Sequence, residues 1–191
     1  MGVAPQLIVE GLACVRGGRA VFEGVGFTLA DGGALQVEGR NGAGKSSLLR
    51  ILAGLLRAAG GRLDNPFGIG WLGADATLKP GNTLAGELGY WARLDGRGDA
   101  VPAALAAFEL SKLADLPVEV LSSGQRRRAA LARVHASGAP LWLLDEPAVG
   151  LDSASVGLLA RAIAAHRAGG GLVVVATHGD IGLDAPQRLA L

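Results

Sequence analysis

The chain has 191 residues, half of them hydrophobic, with 18 Lys and Arg set against 17 Asp and Glu. That size supports one domain with a substantial core, and the charge balance argues against a basic nucleic-acid-binding domain. No apolar run approaches the roughly 20 residues of a membrane-spanning helix, the start "MGVAPQLIVE" lacks a secretory pattern, and the single cysteine, Cys14 in "LACV", excludes an internal disulfide and reads as a small buried residue, which fits a soluble cytoplasmic protein.

The first segment, "LIVEGLACVRGGRAVFEGVGFTLADGGALQVEG", reads as several short strands split by Gly and Asp turns. After the apolar strand "ALQVE" comes "GRNGAGKSS", Gly39 to Ser47, which has glycine, four residues, then Gly-Lys-Ser. Gly42 and Gly44 let the backbone turn its N–H groups around phosphate oxygens, and the following helix presents its positive end to the same anion. The expected nucleotide-binding set is Gly39, Arg40, Asn41, Gly42, Ala43, Gly44, Lys45, Ser46 and Ser47. Within it Lys45 supplies a mobile charge at the β- and γ-phosphates, Ser46 a hydroxyl for Mg²⁺, and Ser47 a hydrogen bond to an inner phosphate. Helical spacing continues through "SSLLRILAGLL", where Gly54 is too early for a clean stop and "AAGG" is better placed.

Residues from about Thr83 to Leu116 suggest two or three short helices, broken at "DGRGD" and ended before Pro117, within a helical insertion expected at about residues 76–120 of a single domain spanning 1–191. A further helix starts near Gly124 in "LSSGQRRRAALAR". At about 100° per residue Arg126, Arg127 and Arg128 fan around that helix and form no coherent patch; one is left to support a nucleotide interface and the others to meet acids or water.

In "PLWLLDEP" the run Leu141 to Leu144 reads as a strand buried on both faces, delivering Asp145 at its carboxyl end, where open α/β sheets bind ligands. Asp145 suits Mg²⁺ and Glu146 suits the general base for an attacking water. Successive strand residues face opposite sides, so the chain must bend at Glu146, and Pro147 favours that break. The alternative, that both acids merely cap the next helix, does not require a buried strand before them. The helix "SASVGLLARAIAAHRA" and the strand "GLVVVATH" follow, and the latter places His178 near the same crevice, within reach of a γ-phosphate and its attacking water. His135 and His166 read as surface or satisfied residues. Strand and helix alternation implies an α/β fold with a mostly parallel sheet.

With these residues in view, the chain resembles the ATP-binding cassette superfamily. "GRNGAGKSS" is similar to its Walker A loop, "LSSGQ" to its signature, "WLLDEP" to its Walker B strand, "GLD" at Gly150 to Asp152 to its D-loop, and His178 to its switch histidine. The resemblance implies a P-loop NTPase (RecA-like) core with an N-terminal antiparallel β part and a helical insertion, and ATP and Mg²⁺ as cofactors. It further implies an ATP-bound homodimer, in which Leu121, Ser122, Ser123, Gly124 and Gln125 close over the partner's ATP and Asp152 crosses the interface. Integral membrane transporter subunits are the expected partners, nucleic acid is not, and the expected location is the cytoplasmic face of the inner membrane, held peripherally.

The compact length together with "LSSGQRRRAALAR", "PLWLLDEPAVGLD" and "WLGADATLKP" is similar, within that superfamily, to the ATP-binding subunits of bacterial haem exporters of cytochrome c maturation. That implies an ATP-hydrolysing motor for haem export or haem release, although no C-x-x-C-H or axial-ligand cluster reads haem directly. The alternatives are a soluble cassette acting as a nucleotide-driven clamp, an exporter subunit for another cargo, and a nucleotide-gated subunit of weak turnover. Three positions depart from the superfamily pattern. Asp75 or Ala74 stands nearest the usual glutamine before the helical insertion. Arg16 stands nearest the usual adenine-stacking aromatic, as a stacking guanidinium or a solvated turn residue. Ser123 stands where glycine is common, so its backbone must reach phosphate while carrying a side chain.

Overall fold

Apolar residues recur through Leu7–Arg16 and Arg19–Leu29, which form strands β1 and β2, an antiparallel pair closed by the two-residue loop at Gly17 and Gly18. The computed structural model describes residues 4–75 and 77–191; residues 1–3 and Ala76, where the helical insertion was expected to begin, lie outside the described residues. The several short strands expected in this segment are two long ones and the short strand Ala34–Glu38. Gly11 and Gly24 fall at register shifts, so the chain bulges and continues in place of turning back.

Strand β3, Ala34–Glu38, leads through the glycine loop into helix α1, Lys45–Leu52. That helix stops well before "AAGG". Gly54 takes a left-handed φ of 71°, its N–H bonds Ile51 O at 3.0 Å, and Leu55 N–H bonds Arg50 O at 2.8 Å. This is the paired-bond helix ending that a glycine just past the last turn permits, so Gly54 is the stop that its early position seemed to exclude.

Strand β4, Gly60–Asp64, joins the free edge of β1, giving the antiparallel sheet the order β2-β1-β4. Strand β5, Ile69–Leu72, is followed by helices α2, Leu84–Leu94, and α3, Val101–Ala107, then by α4, Ser123–Ser137. Strand β6, Leu141–Asp145, helix α5, Ser153–Ala168, and strands β7, Leu172–Ala176, and β8, Gln187–Ala190, complete the order. The second sheet runs β5-β6-β7-β3-β8 with every pairing parallel. All strands of that sheet therefore end at one edge.

Side-chain alternation divides the core between the two faces of this sheet. Trp142, Leu144, Val173 and Val175 pack with α2 to α5, while Leu141, Leu143, Leu172 and Val174 pack with α1, β1 and β2. Every residue of β6 and β7 is buried, as a parallel sheet covered on both faces requires. Among the described residues no helix is long and apolar enough to cross a membrane.

Candidate functional site

The glycine loop sits at the carboxyl edge of β3, with Gly44 as the residue before α1 at φ 108° and no side-chain cap on the helix. The first N–H groups of α1 are thus left for an anion. A side chain at Gly44 would place its Cβ 2.6 Å from Val21 Cγ1 and 2.9 Å from Phe22 Cδ1. Glycine is required here by both the turn and the strand beneath it. Lys45 is 7% exposed and folds back on its own loop, donating to Gly39 O at 2.9 Å and Arg40 O at 3.4 Å.

Asp145 shares its face of the sheet with Leu141 and Leu143, the face that packs on α1. Both its carboxylate oxygens are buried without a hydrogen-bond partner. A buried carboxylate left so typically costs several kcal/mol, and a hard cation is its natural complement. Ser46, in the first turn of α1, lines the adjacent cavity; Asp145 and Ser46 are the residues that can hold Mg²⁺.

On a regular strand Glu146 would point away from Asp145. Instead β6 ends and Glu146 takes a left-handed φ of 47°, so its carboxylate returns to the loop side, with Oε1 4.0 Å from Lys45 Nζ and 3.6 Å from His178 Nε2. A left-handed non-glycine residue costs about 1–2 kcal/mol. The local offset is Arg127, 5% exposed in α4. Its Nε donates to Pro147 O at 3.2 Å, Nη1 to Gly73 O at 3.2 Å and Ala74 O at 3.0 Å, and Nη2 to Asp145 O at 2.9 Å and to Glu146 O. Charge-assisted bonds contribute about 1.5–3 kcal/mol each, so a single one is enough to balance the strain. Burial pulls the Arg127 guanidinium below the usual arginine range, opposed by the charges of Asp145, Glu146 and Asp75.

His178 lies two residues past the end of β7, a little beyond the expected strand end. Its Nε2 is 2.8 Å from both Lys45 Nζ and Asn41 Oδ1. One ring nitrogen either accepts or donates, so it accepts from Lys45 when bare and donates to Asn41 or Glu146 when protonated. The imidazole can therefore link the lysine to Asn41 or Glu146, its role set by its tautomer.

A cavity of about 520 Å³ is lined by Arg16, Val21, Asn41, Gly42, Gly44, Lys45, Ser46, Ser47 and Glu146. A neighbouring cleft shares Asn41 and Glu146 and adds His178 and Thr177. Arg16 is thus brought to the loop cavity, on the side of Val21. Residues Leu121 to Gln125 line neither space. Ser122 caps α4 instead: its Oγ accepts from Gln125 N at 3.2 Å, and Gln125 Oε1 accepts from Ser122 N at 2.8 Å. Ser123 is the first helical residue and has no left-handed φ, so its side chain imposes no strain. The Asp152 carboxylate caps α5, accepting from Ser155 N at 2.8 Å, and the Ser155 bonds hold it below the usual aspartate range. Asp75 is exposed, and its carbonyl accepts from Thr77.

The arginine triplet requires a correction. The hydrogen bonds of Arg127 and of Arg128 Nη1, which donates to Phe108 O at 2.9 Å, go to carbonyls, while the acids expected as partners, Asp145 and Glu146 for Arg127 and Asp152 for Arg128, act through their charge. The available signal was helical spacing: Ala130, Leu131 and Val134 follow Arg127 at three, four and seven residues, and all are buried. Arg127 lies on the same inward face. His135 and His166 are half-buried, flanking Trp142 at ring-centroid distances of 6.0 and 4.1 Å, and His166 Nε2 lies 3.1 Å from Leu172 O.

The ABC transporter family matches residues 22–149. The "Cytochrome c biogenesis ATP-binding export protein CcmA" of Rhodospirillum rubrum is 51% identical over 98% of this chain and 87% of its own length. The protein of the same name from Sphingopyxis alaskensis is 52% identical over 90% of this chain and 89% of its own. Among solved structures, the "ATP binding subunit of ABC transporter" superposes with a TM-score of 0.80 at 22% identity, covering 91% of this chain and 80% of that one, which is a likeness of fold. The chain belongs to the ABC transporter family as an ATP-binding, ATP-hydrolysing subunit, among the cytochrome c biogenesis ATP-binding export proteins.

Proposed function

We propose that this chain is the motor of a membrane transporter acting in cytochrome c maturation, where its ATP hydrolysis drives haem export or the release of haem from its carrier. The observation that carries the catalytic part is the meeting of Lys45, Glu146 and His178 within 4.0 Å of one another, beside the buried Asp145. Loop N–H groups from Gly39 to Ser47 and the Lys45 ammonium hold the phosphates. Asp145 and Ser46 hold Mg²⁺, which when bound neutralises charge developing on the phosphoryl oxygens. Glu146 accepts the proton of the attacking water, and His178 orients that water and the terminal phosphate. Arg16 flanks the base.

Ser122 and Ser123 are exposed, and the capping box of Ser122 and Gln125 fixes this turn at the N-terminus of α4, which supports a surface that meets a second copy. Two copies pair head to tail around ATP, with Leu121 to Gln125 on the partner's nucleotide and Asp152 near the contact. A separate cleft of about 300 Å³ between β5, α2 and α4 is lined by Trp71, Trp91, Asp95 and Arg133, with the Arg133 guanidinium 5.5 Å from the Trp91 ring centroid. We read this aromatic, charged groove as the docking place for integral membrane subunits, with the chain held on the cytoplasmic face of the inner membrane.

The test is genetic and biochemical together. In cells deprived of the native gene, the wild-type chain restores haem-stained c-type cytochromes and Glu146→Gln does not; cross-linked membranes yield an integral membrane subunit with the chain. Restored cytochromes with Glu146→Gln, or recovery of the chain with no membrane subunit, overturns the reading.

A further inference from the structure

A guanidinium carries five N–H donors in a rigid planar fork, and in Arg127 each of the five meets a backbone carbonyl: Gly73, Ala74, Asp145, Glu146 and Pro147. The acceptors belong to two separate segments. Gly73 and Ala74 follow β5 and lead toward the helices α2 and α3, whereas Asp145 to Pro147 end β6. The donor belongs to a third, α4, one turn from the capped Ser122. All three segments therefore meet on one buried side chain that does not itself line the loop cavity but hydrogen-bonds the backbone of Glu146, which does.

We propose that Arg127 is a positioning residue that holds Glu146 in its left-handed conformation and mechanically links it to α4 and to the segment after β5. The acceptor at the strained residue is its own carbonyl, so the bond acts on the torsion that decides which face of the sheet the carboxylate occupies. Without it Glu146 relaxes toward ordinary strand geometry, and the parity of β6 carries its side chain away from Lys45 and His178. Movement of α4 or of the segment after β5 is transmitted to Glu146 through the same fork. This inference rests on Glu146 being the base.

The experiment compares the full-length wild-type chain with Arg127→Lys, Arg127→Met and Glu146→Gln. It reads kcat, KM, the affinity for a non-hydrolysable ATP analogue, thermal melting, and amide exchange of residues 73–75 and 145–149. Lysine keeps the charge but has three donors without a fork. Arg127→Lys is expected to lower kcat at least about tenfold while KM and nucleotide affinity stay within about threefold, with faster exchange in both segments. Wild-type kcat in Arg127→Lys overturns the proposal. So does a parallel loss of affinity and melting temperature, which marks a purely structural clamp. If Arg127→Met does not fold, the lysine variant decides; if neither folds, the clamp is structural and the positioning role is overturned. A wild-type rate in Glu146→Gln removes the base assignment, and faster exchange in Arg127→Lys then still supports the link between segments.

Discussion

Glu146 Oε1 stands 3.6 Å from His178 Nε2, although the two residues close different strands and Glu146 reaches that position only through a left-handed backbone. The carboxylate and the imidazole flank the same lysine, yet their proposed tasks differ. Removing the base should cost about 10²–10⁴ in kcat. Glu146→Gln is therefore expected to bind ATP with little change and to accumulate as an ATP-bound pair of chains, whereas His178→Ala should lose about 10² in kcat or less. Single-turnover hydrolysis and light scattering at saturating Mg-ATP check both. A Glu146→Gln protein that stays monomeric there, or turns over at the wild-type rate, removes the assigned role.

The unpartnered Asp145 oxygens predict an inversion of stability. Without metal, Asp145→Asn should melt no lower than the wild type, since a buried unpaired charge is replaced by a neutral amide. With Mg²⁺ and a nucleotide analogue the order should reverse, because only the wild type gains ligand stabilisation from the ion. Paired thermal melts read this directly, and a wild type that melts higher in both conditions would show that the carboxylate is satisfied some other way.

Alanine at two loop glycines separates turn geometry from crowding. Gly42 has a φ of 83° with open space where a Cβ would lie, while Gly44 at 108° would drive a Cβ into Val21 and Phe22. Gly42→Ala should cost about 1–2 kcal/mol, and Gly44→Ala about 1–3 kcal/mol more once packing clashes are added. Denaturant unfolding of the two variants checks the difference; equal costs would mean that β2 does not press on the loop.

Acid stability follows in part from the two half-buried histidines. Burial lowers both His135 and His166 from their ordinary value of 6.5, so the folded protein binds fewer protons than the unfolded chain near that pH. Stability is then complete above about pH 7 and falls as pH drops below the unfolded value near 6.5. Melting temperature measured from pH 7.5 to 5.5 should decline, with a shallower slope in His166→Gln. A flat curve over that window would place both rings in contact with water.

The phosphate loop and the strand before Asp145 were legible because each depends on local spacing, and the bend at Glu146 followed from the parity of a strand and the proline after it. Gly11 and Gly24 were misleading: a glycine that bulges a strand has the same local composition as one that turns it. Gly54 was misjudged because a short helix and a long one share the same apolar period, and only the carbonyl-to-amide pattern distinguishes them. Arg127 was read by charge, although its inward face was visible in the alanines and leucine that follow. The Lys45–His178 contact joins residues 133 positions apart and carries no local mark at all.

The Lys45 ammonium lies on Gly39 O, Arg40 O and His178, so the lysine braces from within the loop that carries it. A triphosphate would take the same ammonium donors through its own oxygens. The side chain that would grip the ligand is thus also the internal strut of the loop that surrounds it.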